Sequence, residues 1–154
     1  MTMKLTSSAF QSGEDILEKF TCGGENVSPP LKWEGFPDDS ASFALICEDP
    51  DAPGGVFSHW VIYNIPTDRD HLPEGIPTDA LLSWGAVQGR NDFGNTGYGG
   101  PCPPQGSTHS YQFRLFALDE KLNLRRGLNR GQLLDEMEGH ILEEAALMGR
   151  YYRS

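Results

Sequence analysis

Up to about residue 120 the chain alternates short apolar runs with clusters of turn-forming residues, and beyond that point the period of its apolar positions changes. SFALICE (Ser42 to Glu48), HWVIYNI (His59 to Ile65) and YQFRLFAL (Tyr111 to Leu118) are rich in aromatic and branched side chains, which suits strands. Between them, CGGENVSPPL, DPDAPGG, NIPTDRDHLPEGIP and GNTGYGGPCPPQGS supply the Gly, Pro, Asn and Asp punctuation of an antiparallel β protein. HWVIYNI is apolar on both faces, which predicts a central strand. In the last quarter, Leu134, Met137, Ile141, Ala145 and Met148 recur at helical steps and predict a C-terminal helix packed on the sheets. Asn129 is placed to cap it, Gln132 to complete a capping box, Leu128 and Leu133 to form a hydrophobic staple, and Gly149 to take the left-handed position that ends it. On that helix Glu136, Glu138, Glu143 and Glu144 form the wet face, Met137 and Met148 fill the core, and His140 is a packed residue beside Ile141. With no internal repeat or linker, residues 1–154 read as one domain of mainly β class.

Composition adds constraints. At 154 residues, 38% of them apolar and with 8 Phe, 5 Tyr and 3 Trp, the chain can bury one respectable core. A net charge of −10, unbroken by any run of Lys or Arg, repels phosphate backbones and anionic surfaces and excludes nucleic acid as an expected partner. No stretch approaches the about 20 apolar residues that span a bilayer, and the N-terminus lacks a signal-length apolar run, so a cytoplasmic location is expected. Cys22, Cys47 and Cys102 are odd in number and far apart, fitting neither a disulfide framework nor a C-x-x-C site, and read as reduced thiols.

Two segments carry candidate chemistry. Asp49-Pro50-Asp51-Ala52-Pro53-Gly54-Gly55 joins two strands through a connection stiffened by two prolines, as either a plain structural turn or a pair of fixed carboxylates, and His59 follows within reach. Gly97 to Gly106 holds too many glycines and prolines for regular structure and runs into His109, Ser110 and Tyr111 at the head of a strand. Exposed N–H groups in such a loop could cradle an anion, with histidine and tyrosine adding donors. No G-x-x-x-x-G-K-[ST] and no helix-opening G-x-G-x-x-G is present.

Taken together, Cys22-Gly23-Gly24 with Ser28-Pro29-Pro30-Leu31 and Trp33, Asp49 to Pro53, His59-Trp60-Val61 with Asn64-Ile65-Pro66, Asn91-Asp92-Phe93-Gly94, Gly97 to Pro104, and Gly139 to Leu142 with Gly149-Arg150-Tyr151 resemble the phosphatidylethanolamine-binding protein family, also called Raf kinase inhibitor protein-like, in its bacterial and archaeal branch. The resemblance runs nearly the whole chain. It implies an antiparallel β-sandwich of Greek-key type with a small pocket for phosphate, acetate or a phosphoethanolamine-like head group. Carried over residue by residue, the ligand-binding wall is Asp49, Asp51, Pro53, His59, Gly100, Pro101, His109 and Tyr111. One departure is visible: Ser110 stands where the family usually has arginine, removing a cation from the rim. An anion beside two aspartates requires a protonated carboxyl, a histidinium or an amine on the ligand.

The expected function is therefore non-enzymatic binding of a small anion with a regulatory role, the resemblance implying a kinase or protease as protein partner. No cofactor or metal is expected, and self-association to a homodimer is. The alternative is a metal-assisted hydrolase using Asp49, Asp51, His59 and His109, since such a donor set suits a divalent transition metal. It lacks both H-E-x-x-H and G-x-S-x-G.

Overall fold

The computed structural model describes residues 2–122 and 127–154. Its strands are β1 (Lys4–Thr6), β2 (Leu31–Glu34), β3 (Ser42–Asp49), β4 (Phe57–Ile65), β5 (His71–Leu72), β6 (Val87–Gln88), β7 (Thr108–Leu118) and β8 (Ile141–Tyr152), with one α-helix among the described residues, α1 (Arg130–Met137), before β8 and a 3-10 turn at Glu18–Phe20. They form two antiparallel sheets, ordered β1-β2-β5 and β6-β4-β3-β7-β8. The fold is mainly β. No helix among the described residues is long and apolar enough to cross a membrane.

Strand alternation builds a core on each face of the large sheet. Phe43, Leu45 and Cys47 of β3, with Trp60, Ile62, Phe113 and Leu115, face the small sheet and the N-terminal segment, where Leu5, Leu31 and Trp33 meet them. Ala44 and Ile46, with Val61, Tyr63 and Phe116, face the other way onto Leu128, Leu133 and Met137. Every residue of β3 is buried for this reason. β3 therefore takes the middle of the sheet, and HWVIYNI, expected there, lies one place out in β4, flanked by the two-residue β6.

The helix begins as its cap residues require. Asn129 Oδ1 accepts from the Gln132 N–H at 2.9 Å, Gln132 Oε1 accepts from the Asn129 N–H at 3.0 Å, and Leu128 and Leu133 are both buried. Its end is a correction to the sequence reading. α1 stops at Met137, Gly139 adopts φ 85°, and the chain turns back as the twelve-residue β8. β8 pairs with β7 from Leu118–Ile141 to Thr108–Tyr152, so long-range hydrogen bonding overrides the helical spacing of Ile141, Ala145 and Met148. Its buried positions are Ala145, Leu147 and Gly149, a period of two disguised by small residues. Gly149 caps no helix: a Cβ there would lie 2.5 Å from Ile16 Cγ1 and 2.9 Å from Phe10 Cε2, so close packing explains the glycine. Glu143 and Glu144 likewise belong to β8, where Glu143 accepts from the Met3 N–H and Glu144 from Arg114.

The cysteine reading is corrected as well. Cys22 and Cys102 form a disulfide across 80 residues, leaving Cys47 as a buried free thiol. Spacing along the chain carries no information on this pairing. It arises because the Cys22 N–H donates to the Pro101 carbonyl at 3.1 Å and the Tyr98 hydroxyl to the Phe20 carbonyl at 2.7 Å, laying the two segments side by side.

Candidate functional site

The register Asp49–Phe57 between β3 and β4, and Glu48–Gln112 between β3 and β7, brings the end of β3 and the starts of β4 and β7 to one end of the large sheet. The connections from 50 to 56 and from 91 to 107 gather there. Between them lies a pocket of about 150 Å³ lined by Asp49, Pro53, His59 and His109, with Phe57 and Phe93 beside them and Cys102 to Pro104 closing one wall.

Asp49 is nearly fully buried, yet both of its carboxylate oxygens are engaged. Oδ2 accepts from His109 Nδ1 at 2.7 Å and Oδ1 from the Asp51 N–H at 2.8 Å. His59 Nδ1 donates to the Gly99 carbonyl at 2.7 Å. Since a carboxylate and a carbonyl can only accept, the proton of each neutral imidazole sits on Nδ1 and the lone pair on Nε2. Charging either ring turns Nε2 into a second donor. Burial holds His59 below the ordinary histidine range, opposed by its hydrogen bond to Gly99 and by the charges of Asp49 and Asp92.

An aromatic frame fixes these rings. His59 meets Tyr111 edge to face at 5.3 Å and Phe93 at 5.4 Å, while His109 stacks on Tyr111 at 6.4 Å. Tyr111 is fully buried, and its hydroxyl has no hydrogen-bond partner among the described residues. Burial, reinforced by Asp49, Cys47 and Asp51, pushes the phenol far above its usual value, so it remains a proton-bearing donor.

Of the eight residues expected to form the wall, Asp49, Pro53, His59 and His109 line the pocket. The others lie one layer out. Asp51 is exposed, its Oδ2 accepting from the Ser110 N–H at 2.8 Å, so it ties the 50–56 connection to β7. Gly100 donates its N–H to Asn26 Oδ1 at 2.8 Å, Pro101 meets Cys22, and Tyr111 stands against both histidine rings. The expected cradle of glycine N–H groups is thereby corrected: Gly97 donates to the Gly89 carbonyl, Gly99 to that of His59 and Gly106 to that of Arg153. Gly100 is required for close approach, because a Cβ there would collide with the Phe20 carbonyl oxygen and lie 2.6 Å from Asn26 Oδ1. The Phe57 and Phe93 walls were not among the expected residues; Phe93 was legible only as part of Asn91 to Gly94.

Of the hydrolase set, Asp49, His59 and His109 share the pocket while Asp51 points away from it to the Ser110 N–H. Among the described residues, the group whose three donor atoms lie within 4.8 Å of one another is elsewhere: Asp119, Glu120 and His140. His140 is half-exposed in the turn before β8, not packed on a helix stripe. Its Nδ1 lies 2.9 Å from Asp119 Oδ1 and its Nε2 3.4 Å from Glu120 Oε1, and the bond to Asp119 raises its pKa. His71, exposed on β5 beside Asp70, is also remote from the pocket.

A two-sheet β protein with a small, aromatic-framed aspartate–histidine pocket at one sheet end has the architecture of a binding protein. The model of the phosphatidylethanolamine-binding protein family matches residues 6–152, and the chain belongs to that family. A UPF0098 protein of Methanothermobacter thermautotrophicus is 52% identical over 151 residues, covering 98% of this chain and 99% of that one. One from Aquifex aeolicus is 46% identical over 153 residues, covering 98% and 89%. The crystal structure of E. coli YbcL, described as a new member of the mammalian PEBP family, matches with a TM-score of 0.93 and 35% identity over 100% of both chains. A Chlamydia trachomatis homolog of the phosphatidylethanolamine-binding protein gives 0.91 and 40% over 99% of each. Family membership supports a binding role.

Proposed function

We propose that the Asp49–His59–His109 pocket binds a small anion, either phosphate, acetate or the phosphoryl head of a phosphoethanolamine-like ligand, and that the protein acts by binding and regulation without catalysis. The observation that carries this reading is the pair of imidazoles lining one cavity with both Nδ1 protons already spent, which leaves each Nε2 for a ligand. A singly protonated phosphoryl group can donate to one neutral Nε2, and a charged imidazole can donate to an oxygen. The charge of Asp49 is offset by its two hydrogen-bond donors, so the carboxylate orients His109 and need not repel the ligand outright. A cavity of about 150 Å³ is of a size for a small head group.

The regulatory part of the proposal is that occupancy of this pocket controls engagement of a protein partner of the kinase or protease type. Homodimer formation is proposed alongside it and is checked by light scattering across micromolar concentrations. Calorimetry with sulfate, whose charge is constant over the range, tests the pocket from pH 5.5 to 8.5 in the parent, His59→Asn and His109→Asn. Uptake of one proton on binding raises affinity about tenfold per pH unit fall within the titration window. Affinity flat with pH, or unchanged in both variants, refutes the assignment of the anion to these histidines.

A further inference from the structure

Beside the pocket, and sharing Phe93 with it, runs a groove of about 560 Å³. We infer that this groove is a subsite for the neutral, polyhydroxylated part of a phosphorylated ligand whose phosphoryl group occupies the Asp49–His59–His109 pocket, a reading that rests on the anion assignment above. The groove's lining contains no charged side chain and no Leu, Ile, Val or Met. It therefore offers no cation to a second anionic group and no aliphatic wall to a lipid tail.

What it does offer is a fixed floor with unused polar groups. Asn91 sets the floor: its Oδ1 accepts from the N–H groups of Phe93 and Asn95, and its Nδ2 donates to the Gly97 carbonyl at 2.9 Å. Around it, the hydroxyls of Thr78 and Thr96 and the side-chain amide of Asn95 make no hydrogen bond among the described residues. Hydroxyls and an amide both donate and accept, as does each hydroxyl of a polyol, so the two sets are complementary without any charge.

Phe93 supplies the join between the two cavities. It is 46% exposed, unusual for so large an apolar ring, yet it is held edge to face by Phe57 at 4.8 Å and His59 at 5.4 Å. Held rigidly at the seam, it presents apolar surface against which the C–H face of a sugar ring or glycerol backbone can be buried at little entropic cost. His59 reinforces the join, since its Nδ1 is bonded to the carbonyl of Gly99, itself a groove residue. A phosphoryl group on His59 Nε2 and a polyol across Phe93 are thus positioned by two rings in edge-to-face contact.

Calorimetry at pH 6 tests this with inorganic phosphate, phosphoethanolamine, glucose 6-phosphate and glycerol 3-phosphate, on the parent and on a Thr78→Val/Thr96→Val variant that keeps side-chain shape and removes both hydroxyls. The expected result is that glucose 6-phosphate or glycerol 3-phosphate binds the parent at least tenfold more tightly than inorganic phosphate and phosphoethanolamine. In the variant that advantage falls to under threefold while the affinity for inorganic phosphate is unchanged. Which ester gains the advantage distinguishes a sugar phosphate from a glycerol-type head group. If inorganic phosphate binds the parent and neither ester exceeds it, or if the advantage survives in the variant, the subsite is overturned while the pocket assignment stands. If no phosphate binds the parent, the pocket assignment fails and the subsite with it.

Discussion

Removing the Cys22–Cys102 disulfide is expected to cost much of the protein's stability and little of its site. The bridge closes an 80-residue loop, and the chain-entropy relation assigns a closure of that length about 4.5 kcal/mol at 25 °C, taken from the unfolded ensemble. Total stability for a domain of ordinary size is about 5–15 kcal/mol, so Cys22→Ser/Cys102→Ser should shift the urea midpoint strongly. The folded arrangement has independent ties at the same place. The Cys22 N–H bonds Pro101, the Gly100 N–H bonds Asn26, and the Tyr98 hydroxyl bonds Phe20. Urea unfolding of parent and variant, with the m-value recorded, measures the effect, and the variant's m should rise because its unfolded chain expands. Thiol titration of the unreduced parent in denaturant should return the one free thiol of Cys47. A stability difference below about 1 kcal/mol with unchanged m would refute the argument from loop closure.

Three further outcomes are expected. Because burial lowers the pKa of His59, the unfolded chain binds that proton more readily; the stability involved is present above the unfolded value near 6.5 and is lost as pH falls below it, so between pH 7 and 5.5 the urea midpoint of the parent should fall more than that of His59→Gln, and equal slopes would contradict the shift. Glu48 is buried on β3 and holds both Arg114 at 3.0 Å and Arg130 at 3.1 Å, so Glu48→Ala, which leaves Arg130 without its carboxylate and Arg114 with Glu144 alone, should cost about 3 kcal/mol in urea unfolding, and a loss below about 1 would show that the arginines reach water freely. Gly100→Ala should cost about 2 kcal/mol through the clash with the Phe20 carbonyl, seen as a Tm about 6 °C lower, whereas Gly54→Ala, with open space at its Cβ, should leave Tm unchanged.

Much of the fold was legible because its signals are local. HWVIYNI is apolar on both faces, and β4, which it became, is buried at every position but its first, whereas YQFRLFAL became β7, whose burial alternates from Thr108 to Arg114. The capping box at Asn129 and Gln132 was readable because its two hydrogen bonds span three residues. Motifs carried the pocket as far as Asp49, Pro53, His59 and His109, whose neighbours along each strand appear in the sequence. They could not separate those lining residues from Asp51, Gly100 and Tyr111, which share the motifs and face other partners.

By itself, then, the sequence determined the β class, the turns, the start of the helix and the family, all properties of residue type and short-range spacing. Tertiary structure decided that Ile141 to Tyr152 is a strand, that Cys22 meets Cys102, and that the glycine loop turns its N–H groups inward. Each of these depends on partners distant in the chain, up to 80 residues away, with β7 supplying the hydrogen bonds that β8 needs and Phe20 crowding the backbone of Gly100. A period of helical spacing in β8 could be overruled because its intrinsic preference amounts to tenths of a kcal/mol per residue, less than the pairing and burial gained along the whole length of β7.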